Sequence, residues 1–167
     1  FSHTHLSGTG VSDYGDILIM PMLGELTMDN KIYSSRFSHL KEKASPGFYE
    51  VMLDDDNIKA ELTATLRTGI HKYTFPKTDQ ANIILDLVHR DKLLSGNIKI
   101  IDSVTVSGFR LSEAWAKEQH VSFIIKFLNP KLFAAFIAQT MISASASSEE
   151  LPTVSISHWR NSLYLPF

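Results

Sequence analysis

Ser2, His3, Thr4 and His5 run directly into Gly8-Thr9-Gly10, and this is the part of the chain best equipped for chemistry. If the segment is extended, His3 and His5 project to the same side. Imidazoles can donate to hydroxyl groups, and glycines let backbone come close to a ligand. Two readings stand: a loop facing a small-molecule cleft, or an ordinary turn whose histidines bond to backbone. A metal reading is weaker. Two histidines can share an ion, but zinc takes three or four ligands, and His39, His71, His89, His120 and His158 are scattered along the chain.

Other arrangements are weighed on the same terms. Gly8-x-Gly10 lacks the preceding strand and following helix of a dinucleotide loop. Asp54-Asp55-Asp56-Asn57 is not an EF-hand: counted from Asp54, the fifth position is Ile58 and the sixth is Lys59, where an oxygen ligand and a glycine are needed. A solvated hairpin tip is expected there. Glu61, Thr63, Thr65 and Arg67 form a polar row, which reads either as a face lining a ligand cleft or, favoured here, as the half-solvated face of a strand with Glu61 and Arg67 pairing across to neighbours. Trp115 is assigned to core packing, and Tyr14 to the surface. Among Asp13, Asp16, Glu25, Glu42, Glu50 and Glu61, no spacing singles out two as an acid–base pair.

The elements that must position these residues are mostly strands. Ile58, Ala60, Leu62, Ala64 and Leu66 alternate with polar residues, as do Val121, Phe123, Ile125 and Phe127. Residues 48–53, 81–88, 97–101 and 103–110 also read as strands, and 16–20 as a shorter one closed by Pro21. Pro46-Gly47 and Ser95-Gly96 mark breaks, and 54–57 a hairpin. Short helices are expected at 111–119 and 131–141, with a polar loop over 143–150. Many short strands between turns make the chain mostly β, an antiparallel β-sandwich with one or two short helices.

The bulk composition fits one globular domain. The chain has 167 residues, 44% hydrophobic and 20% charged. A net charge of −2 gives no electrostatic case for nucleic acid. No apolar run is long enough for a membrane-spanning helix. Without cysteine there is no disulfide, thiolate catalysis or Cys-ligated zinc. The start at Phe1 reads as a removed leader or as a piece of a longer protein.

In order, the chain carries Ser-His-Thr-His with Gly-Thr-Gly, then residues 16–21, then FSHLKEKASPGFYEVMLDDDNIKAELTATLRTGIHKYTFP from Phe37 to Pro76. This resembles the N-terminal β-sandwich region of glycoside hydrolase family 92, the calcium-dependent exo-α-mannosidases, truncated at both ends. The likeness weakens after Val88 and is diffuse beyond Leu128. It implies a large galactose-mutarotase-like supersandwich. It also implies a parent enzyme that hydrolyses terminal α-mannosides with inversion, in a periplasmic or extracellular setting. The acid, the base and most calcium ligands would lie in a separate helical catalytic domain, so no catalytic residue or metal is expected in 1–167. The role implied here is to support that domain, with His3, Thr4, His5, Gly8, Thr9 and Gly10 lining a pocket for mannose-containing glycans. Two alternatives stand beside it: a non-catalytic carbohydrate-binding sandwich, and a structural remnant stabilised by a partner chain.

Overall fold

The computed structural model describes residues 1–3, 14–27 and 29–128, together with the backbone course of two later strands, Ala134–Ile137 and Thr153–Leu163. Within these residues the chain forms two sheets. The smaller has the order β1-β6-β10, from β1 (Leu18–Leu23), β6 (Ala81–Asp86) and β10 (Ala134–Ile137). The larger has eight strands in the order β2-β3-β4-β5-β11-β9-β8-β7. Its members are β2 (Glu42–Ser45), β3 (Phe48–Leu53), β4 (Ile58–Ala64), β5 (Thr68–Thr74), β7 (Lys92–Asp102), β8 (Thr105–Glu113), β9 (Gln119–Phe127) and β11 (Thr153–Leu163). Every ladder is antiparallel except β10 on β6. The mostly β, antiparallel expectation holds.

Period-2 alternation builds the core. Val51 and Leu53, Ile58 and Ala60, and Val121, Phe123, Ile125 and Phe127 turn inward from the large sheet. They meet Ile19, Ile83 and Leu85 from the small sheet, and Ile17 just before it, in one apolar cluster. Each fully buried Ile or Leu contributes on the order of 1.5–3 kcal/mol. All six residues of β6 are buried, as expected of a central strand covered on both faces. A short helix, α1 (Asn30–Tyr33), closes over its end, and Tyr33 Oη donates to Asp86 Oδ2 at 2.5 Å.

The 54–57 hairpin forms, with Asn57 in the left-handed region at φ 52°, which asparagine tolerates. Its tip is pinned as well as solvated. Lys41 Nζ donates to Asp54 at 2.6 Å, Arg36 Nε to Asp55 at 2.8 Å, and Leu23 N to Asp56 at 3.0 Å. The polar row on β4 is structural. Glu50 and Glu61 lie directly opposite each other, and the repulsion is offset by Lys43, Lys59 and Lys72, which flank them at 2.9–3.7 Å. Arg67 lies past the end of β4, in the turn to β5.

Several expectations are corrected. Residues 111–119 are not a helix: Leu111–Glu113 finish β8, a turn follows, and Gln119 begins β9 opposite Ser112. Trp115 in that turn is 75% exposed and not in the core. The helix expected at 131–141 is a strand at Ala134–Ile137, and its remaining residues lie outside the described ones, as does the 143–150 loop. Ser95-Gly96 is not a break but lies within β7, beside a register shift between Leu93 and Ser95. Leu66 is 95% exposed because β4 ends at Ala64. Tyr14, expected at the surface, is buried with φ 60°.

Pro21 does not end β1. Ile19 exchanges backbone hydrogen bonds with Phe1, so its N–H faces away from β6. Two residues on, the proline nitrogen faces the same way, and the β1–β6 ladder loses nothing.

Candidate functional site

His3 is the member of the predicted loop set that falls among the described residues. Thr4, His5, Gly8, Thr9 and Gly10 lie outside them. The inward face of β5 presents Gly69, His71 and Tyr73 in steps of two, because side chains alternate along a strand. His3 lies over this row. Its ring centroid is 4.6 Å from that of His71, with the planes at 52°. His71 Nδ1 shares a 2.6 Å hydrogen bond with Tyr73 Oη, and both residues are fully buried. Phe1 packs on the same two rings, at centroid distances of 6.3 Å and 6.1 Å.

Burial sets the protonation of this cluster. Desolvation, with the nearby His3 second, pushes His71 well below the usual imidazole range. Desolvation also lowers His3 and raises the Tyr73 phenol far above its ordinary value. At neutral pH the cluster is therefore two neutral imidazoles and a neutral phenol. A neutral imidazole has one donor and one acceptor nitrogen. The Nε2 atoms of His3 and His71 are buried without a hydrogen-bond partner among the described residues.

A pH dependence follows. His71 stays neutral in the fold but takes a proton near its ordinary value of 6.5 when unfolded. Its contribution is fully present above about pH 6.5 and is lost as pH falls towards the depressed folded value, by at most about 1.4 kcal/mol per pH unit. Urea midpoints at pH 7 and pH 5 should show this fall, and His71→Asn should flatten it. An equal fall in that variant would assign the effect to other groups.

A second polar cluster lies behind the start of β1. Arg110 and Asp16 are both fully buried and form an ion pair through Nη1 and Oδ1. Arg110 also donates through Nε to Leu87 O at 2.6 Å and through Nη2 to Asp91 O at 2.7 Å. Asp16 accepts further from Ser112 Oγ at 3.1 Å and Gln119 Nε2 at 2.7 Å. This cluster ties the segment before β1 to β8, β9 and the turn after β6.

The other acids named from the sequence that fall among the described residues are, apart from Glu25, engaged in side-chain pairs. Glu42 accepts from Tyr49 Oη at 2.6 Å and from His39, Glu50 pairs with Lys43, and Glu61 with Lys72. Among the described residues no group of three or more His, Asp or Glu is arranged to hold a metal ion.

His71 and Arg110 were both missed in the sequence, though parity could have found them. Val106, Gly108, Arg110 and Ser112 share the inward face of β8, and a charge at an inward position requires a buried partner.

The description Glycosyl hydrolase family 92 N-terminal domain matches residues 1–159. The family GH92 alpha-mannosidase BT3965 from Bacteroides thetaiotaomicron is similar over 92% of this chain, at 30% identity and a TM-score of 0.76. The gh92 family glycosyl hydrolase ccman5 is similar over 94%, at 23% identity and a TM-score of 0.65. The Family GH92 Inverting Mannosidase BT2199 from Bacteroides thetaiotaomicron VPI-5482 is similar over 90%, at 22% identity and a TM-score of 0.59. A search of curated proteins gives no match. The matched region is 25%, 23% and 20% of those three structures, so the chain spans about a quarter of their length or less. Since one domain description accounts for nearly all of it, the chain belongs to glycoside hydrolase family 92, in the N-terminal domain of that family.

Proposed function

We propose that this domain serves an enzyme that hydrolyses terminal α-linked mannose with inversion at the anomeric carbon. The observation that carries the reading is the 30% identity and shared fold with an α-mannosidase over 92% of the chain. In this reading the domain is a rigid β shoulder. It supports a helical catalytic domain that holds the acid, the base and the calcium, and the loop from His3 through Gly10 forms one wall of the pocket for mannose-containing glycans. The enzyme acts in the periplasm or outside the cell. The neutral His3 and His71 leave this part of the wall uncharged at neutral pH, which supports an uncharged ligand there.

The test is kinetic and uses the full-length enzyme on an aryl α-mannoside, with calcium and with a chelator. Turnover that the chelator abolishes is expected, with none from residues 1–167 alone. His3→Ala and His5→Ala should each raise KM several-fold, because a wall that holds substrate contributes to binding. Unchanged constants in both would remove the loop from the pocket. Glycan binding by a parent that turns nothing over would favour a carbohydrate-binding sandwich.

A further inference from the structure

We infer that Gly69 and His71 of β5 are positioning residues that set the ring of His3 in the pocket wall. The inference rests on the proposed reading of that wall, and its starting point is a glycine whose reason is space. Gly69 is buried and lies outside the left-handed region, so its backbone does not demand glycine. A Cβ there would come within 2.7 Å of His3 Cγ, and closer still to Cδ2 and Nε2. The missing side chain is the slot in which the imidazole lies.

His71 forms the floor of the slot, and it is itself held. Its Nδ1 is tied to Tyr73 Oη at 2.6 Å, and Phe1 meets its ring at 83°. The 4.6 Å separation of the two imidazoles then fixes where His3 sits. Tyr73 locks His71, His71 supports His3, and Gly69 leaves room for it. The hydrogen bond to Tyr73 occupies Nδ1, and Nε2 of His71 is buried without a partner among the described residues.

The slot makes a prediction about coupling that loss of fold would not imitate. In the full-length enzyme, Gly69→Ala should displace His3 and raise KM about tenfold, with kcat kept within about twofold. Destabilisation alone lowers the active fraction, which depresses kcat and leaves KM in place. In a His3→Ala background the slot is empty, so Gly69→Ala should add little. His71→Asn, which keeps a polar group near Nδ1 but removes the ring, should raise KM in the same way, and it serves if Gly69→Ala does not fold. Imidazole nitrogen shifts of His3, read without substrate, give the second measurement. Full additivity of Gly69→Ala with His3→Ala overturns the inference, as do unmoved His3 shifts in folded Gly69→Ala. Shifts that move while His3→Ala leaves KM unchanged uphold the positioning and overturn the pocket wall.

Discussion

Arg110→Met is expected to cost the fold about 3–5 kcal/mol, the range for removing one partner of a buried ion pair. The guanidinium is fully enclosed and satisfies three separate groups: Asp16, Leu87 O and Asp91 O. Methionine fills much of the same volume but donates nothing. Asp16 would stay fully buried, with only the hydroxyl of Ser112 and the amide of Gln119 in place of a cation. Two carbonyls would also lose their donor. Against a total stability of about 5–15 kcal/mol, that loss is large. Adding Asp16→Asn should recover part of it, because the uncompensated charge is then gone. Urea denaturation of the single and double variants checks both statements. A single-variant loss below about 1 kcal/mol would mean that water reaches Asp16.

Gly108→Ala carries the second large effect, about 3 kcal/mol or more, from overpacking. Gly108 sits on β8 opposite Ile98 of β7. A Cβ would come 2.6 Å from Cζ and 2.9 Å from Cε1 of Phe123, and nearer still to the carbonyl oxygen of Asn97. Phe123 is 2% exposed and has no room to withdraw, and the Asn97 carbonyl belongs to a paired strand. Gly96→Ala on the neighbouring strand is the internal control. Its nearest atom would be Phe109 O at 3.2 Å, so a shift of a few tenths of an ångström suffices and the cost should stay near 1 kcal/mol. Equal melting temperatures for the two variants would show that the sheet yields at Gly108.

The contrast between these sites also explains what was legible in the sequence. Strands with one apolar face announced themselves: Phe48–Leu53 was read with its observed limits, and the 54–57 hairpin with it. The pattern misled where local composition and long-range pairing disagreed. Residues 113–118 contain good helix formers, but Ser112 pairs with Gln119 across the β8–β9 ladder, which leaves them only a short connection. The apolar run around Phe136 reads as a helix face, yet four to eight apolar residues fit a buried strand as well, and β6 offered an edge to pair with. Of the candidate site, the loop residues were visible because their types are unusual together. Their supports were not. Gly69, His71 and Tyr73 matter through what lies 66 to 70 positions earlier, and only folding reveals that adjacency.

Of the two outer strands of the large sheet, β2 and β7, the second is the longer and the more irregular. β7 departs from regular register twice, between Leu93 and Ser95 and again between Ile100 and Asp102. Ile100 and Ile101 are about half exposed beside Lys99 and Asp102. A foreign strand seeking to extend the sheet would need evenly spaced amides and carbonyls along that border, and each bulge interrupts them. Along β7 the domain can thus display aliphatic side chains while the bulges break up the template that a regular edge would offer.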